Sequence, residues 1–466
     1  MRYPAVAIAT ALGLVAFAPL VAQSSEPLEL TAAVKVALAR HPLGQAAAAE
    51  RDAAEAGERQ ATARLLPQVA MRESWARSDD PVFAFGTLLE QGRFSERDFD
   101  VKRLNDPAAL DRFQTRVSVE QPIVAVPAWY GRAAASAATD AARAGETLTH
   151  ETLALEVVRA YLGLGLARDA VQVADESHRV ALADLERASA LVRAGTALEA
   201  DALQAQVHAR SQAELLEAAR GDARVAELGL ASLLDGGASV GALADVPAWL
   251  AERAQHGAVA TDLDAGLASR PDLAAIRHQA SAASAAESAA RASFLPTLGL
   301  VASEQWDRER FASDGEWSYT VGVALDWNLL AGGGDRAKLD VAASQARAAA
   351  ARLEAAERAA RLEIGARDAA LATSRARLAA ALGAADLAAE ARRVVTRRYE
   401  QGLATWTELA AAESAFSAAR LRELQARHGV LLAWAECEHA LGRLTAALTA
   451  SPADTSNATA TPREEP

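Results

Sequence analysis

Cys437, Glu438 and His439 stand side by side, with Glu436 beside them and His428 upstream. Thiolate, carboxylate and imidazole are the ligands zinc takes. Neighbouring residues of a helix point in different directions, however, so this run cannot converge on one ion. The segment AGGGDRAK, from Ala331 to Lys338, has the glycines of a phosphate loop. It lacks the Gly-Lys-Ser/Thr ending that would hold phosphate and magnesium, and its glycines suit a strand-to-helix junction. The 8 histidines are otherwise scattered, with no Ser/His/Asp or paired-carboxylate pattern. No enzyme, metal site or cofactor is expected.

A different pattern occurs twice. Gly195 is followed after five residues by Asp201, and Gly402 likewise by Glu408, at an offset of 402 − 195 = 207. Each glycine closes a long proline-free run, so it is expected to end a helix and free backbone groups there. Before the second glycine the chain reads EARRVVTRRYEQG, with Arg392, Arg393, Arg397 and Arg398 between Glu390 and Glu400. These arginines could form a basic constriction or pair with the two glutamates on neighbouring turns.

The elements around these tips are duplicated. ALARHP, ending at Pro42, matches GLASRP, ending at Pro271; ARLLPQVAMRESWARSD, with Pro67, matches ASFLPTLGLVASEQWDR, with Pro296. Both give an offset of 229, from 271 − 42 and from 296 − 67. The shift to 207 places an insertion in the first copy, around DPVFAFGTLLEQGRFSERDFDVKRLNDPAALDRF, which is expected to be a longer loop.

Each copy reads as a helix stopped by Leu-Pro, a strand pair, a very long helix, a glycine turn and a further helix. In the second strand of copy one, Phe113, Thr115, Val117, Val119 and Ile123 alternate with polar residues. In copy two, Tyr319, Val321, Val323, Leu325 and Trp327 do the same. The long helices, from about Arg132 to Ala194 and Asp335 to Gln401, would extend roughly 95–100 Å at ~1.5 Å per residue. Such helices need lateral partners.

The expected divisions are a leader over 1–22, a first repeat over 23–235, a joining segment over 236–262, a second repeat over 263–450 and a disordered tail over 451–466. The leader has Arg2 and then an apolar run, as in a secretory signal peptide. Cys437 is the sole cysteine, so no intrachain disulfide is possible. The net charge of −13 and the lack of a basic stripe exclude nucleic acid as a partner. Hydrophobic residues make up 51% of the chain but aromatics only 5%; the apolar content is mostly alanine, which favours close-packed helices.

No apolar run after the leader is long enough for a membrane helix, so entry into a bilayer would be by strands. Aromatics at both ends of an apolar band of about 10 residues match the girdles of outer-membrane barrels. A small soluble sandwich has the same periodicity. In lipid, four strands cannot remain open-edged, so an oligomer is required. Two chains would give a plugged barrel, and three would give twelve strands with room for a channel.

The duplication, the LLP and FLP helix stops, the QPIV and WNLLAGGG strand ends and the two glycine tips together resemble the TolC-like outer membrane efflux protein family. The resemblance covers nearly the whole mature chain. It implies a mostly α protein with a small β part, trimeric, with a twelve-stranded transmembrane β-barrel continued by a long periplasmic α-helical barrel. It also implies an outer membrane channel fed by an inner-membrane transporter and a periplasmic adaptor. Drug, metal and protein exporters share this outer component. By the same resemblance, Arg193, Gly195, Thr196, Leu198, Asp201, Gln401, Gly402, Leu403, Thr405 and Glu408 would dock the adaptor. Glu390, Arg393 and Arg397 would mark a periplasmic constriction, with arginine where relatives carry acids. Phe113, Val117, Val119, Tyr319, Val321, Val323, Leu325 and Trp327 would face lipid. The competing reading is a soluble periplasmic coiled-coil adaptor or scaffold without a pore.

Overall fold

A computed structural model describes residues 27–234, 240–257 and 263–449. The expected leader and tail, and two short pieces of the joining segment, lie outside the described residues.

Helices α1 (Leu30–Arg40) and α2 (Pro42–Ala63) meet at His41. Its backbone is extended and its imidazole accepts from the Leu43 amide (3.2 Å), while Pro42 takes the first helical position, where a missing amide costs nothing. After Pro67 the chain enters strand β1 (Gln68–Ser78).

The insertion is helical where a loop was expected. It forms α3 (Pro81–Glu90), a 3-10 turn (Glu96–Phe99) and α4 (Val101–Asn105). Asp80 caps α3 by accepting from the Phe83 amide (2.9 Å), and Pro81 opens the helix. Phe94 meets Phe85 and Phe99 edge to face, both at 5.0 Å. Gln91 latches the insertion to the sheet, its side-chain amide donating to the carbonyls of Asp111 (2.9 Å) and Arg308 (2.8 Å).

Strand β2 (Leu110–Val124) leads into α5 (Val126–Arg193), 68 residues long, and α6 (Glu199–Leu234) follows. The joining segment contributes α7 (Ala248–His256), and its Leu250 and Ala254 are fully buried. Then come α8 (Leu263–Ser269), α9 (Pro271–Ala292), β3 (Thr297–Arg308) and β4 (Gly315–Asp326). The chain continues through α10 (Gly334–Glu400), α11 (Trp406–Ala440) and α12 (Leu444–Thr449). At 67 and 68 residues, α10 and α5 each run roughly 100 Å at ~1.5 Å per residue. No described helix is long and apolar enough to cross a membrane.

The strands form one antiparallel sheet in the order β1-β2-β3-β4, so the β2–β3 pair joins the two copies. Its register sorts the side chains. Val69, Val119, Ala302 and Val321 share one level of one face, and Met71, Val117, Glu304 and Tyr319 the next. Phe113 pairs with Trp75 further along that face. Val69, Met71, Tyr319, Val321, Val323, Leu325 and Trp327 are all strongly exposed. Phe113, Val117 and Val119 lie on the same face and are partly covered by their neighbours.

The main core sits about halfway along the long helices. It gathers α1, the middle of α5, α7, α8, the start of α9 and the end of α11 around Trp434, Leu164, Leu250 and Ile364. The Tyr161 hydroxyl lies 2.8 Å from the Leu28 carbonyl and 2.7 Å from that of Ala244, fixing the start of the described chain against the joining segment. Burial pushes this phenol up to about 12.

Candidate functional site

At one end of the helices lie the two expected tips. Gly195 takes a left-handed backbone (φ 76°) that glycine adopts without strain. Its amide donates to the Val192 carbonyl and the Thr196 amide to that of Leu191, both 3.0 Å. Gly402 (φ 72°) does the same: its amide reaches Tyr399 (3.0 Å), and the Leu403 amide reaches Arg398 (2.7 Å). Both are Schellman closures of a helix.

The acid that follows each glycine after five intervening residues has a structural use. Glu408 accepts from the Thr405 amide (2.7 Å), while the Thr405 hydroxyl accepts from the Glu408 amide (3.3 Å). This is a capping box that starts α11. The two bonds from Thr405 hold the Glu408 carboxyl below its ordinary range. Asp201 likewise accepts from the Leu198 amide (3.3 Å) at the start of α6. The shared spacing therefore encodes stop and restart signals. The tips leave Arg193, Thr196, Leu198 (72% exposed), Gln401, Leu403 (63% exposed), Thr405 and Glu408 facing outward.

A small core behind the tips binds the two hairpins together: Ala188 of α5, Ala205 of α6, Tyr399 of α10, and Trp406 and Leu409 of α11. Trp406 meets His208 of α6 at 6.1 Å between ring centroids. Burial lowers the His208 pKa, and the nearby Asp184 carboxylate opposes that shift. Burial raises Asp184 itself, though Arg187 pairs with it at 2.8 Å. The sequence reading missed these residues. Their one available signal was Trp406 at the first position of its helix.

The arginine-rich stretch is largely paired. Arg393 forks onto Glu390 one turn away, its Nε donating at 2.7 Å. The Arg393 bond holds Glu390 below its ordinary range. Arg392 lies over the Phe416 ring (3.9 Å) and 3.5 Å from Glu413 of α11. Arg398 donates to the Leu403 carbonyl (3.1 Å), and Glu400 faces Arg187 of α5 (3.9 Å) rather than an arginine of its own helix. Arg397 is exposed and forms no ion pair within 4 Å among the described residues.

The adjacent Cys437, Glu438 and His439 do diverge. Glu436 pairs with Arg159 (2.8 Å) and Arg367 (2.6 Å), Glu438 with Arg443 (2.6 Å), and His428 with Asp169 (3.1 Å). Burial pushes the Cys437 thiol up to about 11, away from the reactive thiolate. No group of side chains suited to hold a metal occurs among the described residues.

At the other end, the sheet's apolar face runs from Trp327 to Trp317 along β4 and its continuation. The 10 steps between them span about 33 Å at ~3.3 Å each, or roughly 23 Å across a bilayer at the usual ~45° tilt. Trp306 stands directly across from Trp317. At that level the face turns polar: Glu73 lies opposite Thr115 and 3.0 Å from Arg308. An apolar band about 25 Å tall with aromatic edges suits a lipid-facing barrel wall.

A family model described as outer membrane efflux protein matches residues 33–236 and 263–443. Among solved structures, a membrane protein from Pseudomonas aeruginosa is similar with a TM-score of 0.76 and 20% identity, covering 88% of this chain and 93% of that one. The outer membrane protein VceC from Vibrio cholerae is similar at 0.74 and 20%, covering 89% and 96%. The open-state MtrE outer membrane channel of Neisseria gonorrhoeae is similar at 0.69 and 19%, covering 89% and 88%. The comparison with curated proteins gave no match.

Proposed function

The chain belongs to the outer membrane efflux protein family, and from that premise we propose that three copies close a twelve-stranded barrel in the outer membrane. The helices then continue the conduit into the periplasm. The observation that carries this reading is the sheet: one face is apolar and exposed over about the depth of a bilayer, and the edges β1 and β4 have no strand partner among the described residues. Open edges are not tolerated in lipid. Joining β1 of one copy to β4 of the next supplies the missing hydrogen bonds. A soluble adaptor or scaffold would leave this face in water.

At the periplasmic end, the tips dock an adaptor that hands over cargo from an inner-membrane transporter. Leu198 and Leu403 fit that contact better than the two acids do, because Asp201 and Glu408 already cap their own helices. Arg393, Arg397 and Glu390 are proposed to ring the narrow end, with the Arg393–Glu390 pair as its mainly neutral part.

The test is a Leu198→Ser/Leu403→Ser double variant, assayed for export, for crosslinking to the adaptor and for outer-membrane fractionation. The expected result is a trimer that still reaches the outer membrane but loses most crosslinking and export. Unchanged crosslinking and export would remove the docking assignment. A wild-type chain recovered as a soluble periplasmic monomer would remove the channel itself.

A further inference from the structure

The polar face of the sheet is its hollow one. A concavity of about 630 Å³ is lined there by Ser74, Gln114, Ser118, Ser303, one carboxylate (Glu120) and two arginines. Register sets Arg72 of β1 directly across from Arg116 of β2, at the level of Gln305 in β3 and Ser318 in β4. Like charges directly opposite on neighbouring strands repel.

No carboxylate forms an ion pair with either, although Glu90 of α3, itself bound to Arg112 (2.7 Å), is near enough to feel the charge of Arg116. Both side chains are exposed, and neither has an ion-pair partner within 4 Å among the described residues. The buried Asp307, one level towards the insertion, is already held by Arg112 (2.9 Å) and Gln114 (3.0 Å). Glu316 pairs with Asp307 across β3–β4 and is further towards that end. Glu120 lies four residues from Arg116 in the other direction, about 13 Å along the strand.

Arg116 is held in place all the same. Its Nη2 donates to Gln305 Oε1 (2.8 Å), and Gln305 Nε2 donates in turn to Asp307 (3.2 Å). An anchored Arg116 facing Arg72, with neither in an ion pair, on a concave polar wall concentrates anions.

We infer that Arg72 and Arg116 form an anion-selecting girdle inside the barrel. The inference rests on the three-copy closure proposed above, which places six guanidinium groups at one level. The cargo it favours carries carboxylate, phosphate or sulfate groups.

Purified full-length trimers in planar bilayers under a potassium chloride gradient test it, alongside R72Q/R116Q and R72K/R116K variants. The expected result is a reversal potential displaced towards cations in the glutamine variant, with chloride-to-potassium permeability falling several-fold, and little change in the lysine variant. Inorganic triphosphate added from the barrel side should block wild type and the lysine variant at several-fold lower concentration than the glutamine variant. Equal reversal potentials and equal block in wild type and the glutamine variant would overturn the girdle while leaving the channel intact. Absence of conductance in every trimer would overturn the channel and the girdle with it.

Discussion

Tyr399 and Trp406 meet edge to face across the Gly402 turn, with ring centroids 6.3 Å apart. The pair joins the last turn of α10 to the first turn of α11, and Trp406 also reaches His208 on the other hairpin. The tip is therefore a small folded unit, held by one indole that is 4% exposed.

Trp406→Ala should cost about 3–5 kcal/mol, as truncation of a buried aromatic does. The loss is expected to be local, with amides of residues 395–410 exchanging on the order of a hundredfold faster or more. Hydrogen exchange read by mass spectrometry checks it. Sheet amides should be unaffected; equal acceleration throughout the chain would show that the tip is not an independent unit.

Glycine substitutions should divide by backbone conformation. Gly195→Ala and Gly402→Ala place a Cβ in the left-handed region and should each cost about 1–2 kcal/mol. Gly221→Ala, inside α6 with open space around its Cβ position, should gain about 0.5–1 kcal/mol. Chemical denaturation and tip proteolysis of the three variants provide the comparison.

Acid should loosen the tip through His208. Burial depresses its pKa, so the unfolded tip binds the proton more readily than the folded one. The stabilisation is complete above the ordinary histidine range near 6.5 and declines as pH falls through it. Tip exchange, corrected for intrinsic rates, is expected to rise between pH 7.5 and 5.5. His208→Gln should flatten that rise.

Val323→Arg tests the membrane-facing wall. A guanidinium on the lipid face near the bilayer midplane costs about 2–4 kcal/mol. The variant should show reduced trimer yield in the outer membrane, whereas Thr320→Arg, on the opposite face by register, should assemble normally. Equal assembly would contradict the assignment of faces.

The elements were legible because their signals are local. The Leu-Pro stops sit three and four residues beyond α2 and α9, and the alternation in β2 and β4 marks the faces that register confirms. The Arg393–Glu390 pair was legible too, since three residues on a helix face one another. Long-range partners were not. Glu400 pairs with Arg187 from a helix more than two hundred residues earlier, a contact no spacing encodes. Gly-x5-acid was read as a contact motif, because a capping box is recognised only once the helix start is known. The insertion read as a loop because its short helices depend on the Gln91 latch to two distant strands. The joining segment hid α7, whose few apolar residues become core only against Trp434 and its neighbours.

The β1 and β4 margins, without strand partners among the described residues, carry a cost during biogenesis. A newly exported polypeptide has a greasy wall and two rows of unsatisfied amides, and it can find sufficient partners only among its siblings. Insertion and association must therefore be one event rather than two, and a lone subunit in transit would depend on holdase escorts to avoid pairing with the wrong strand.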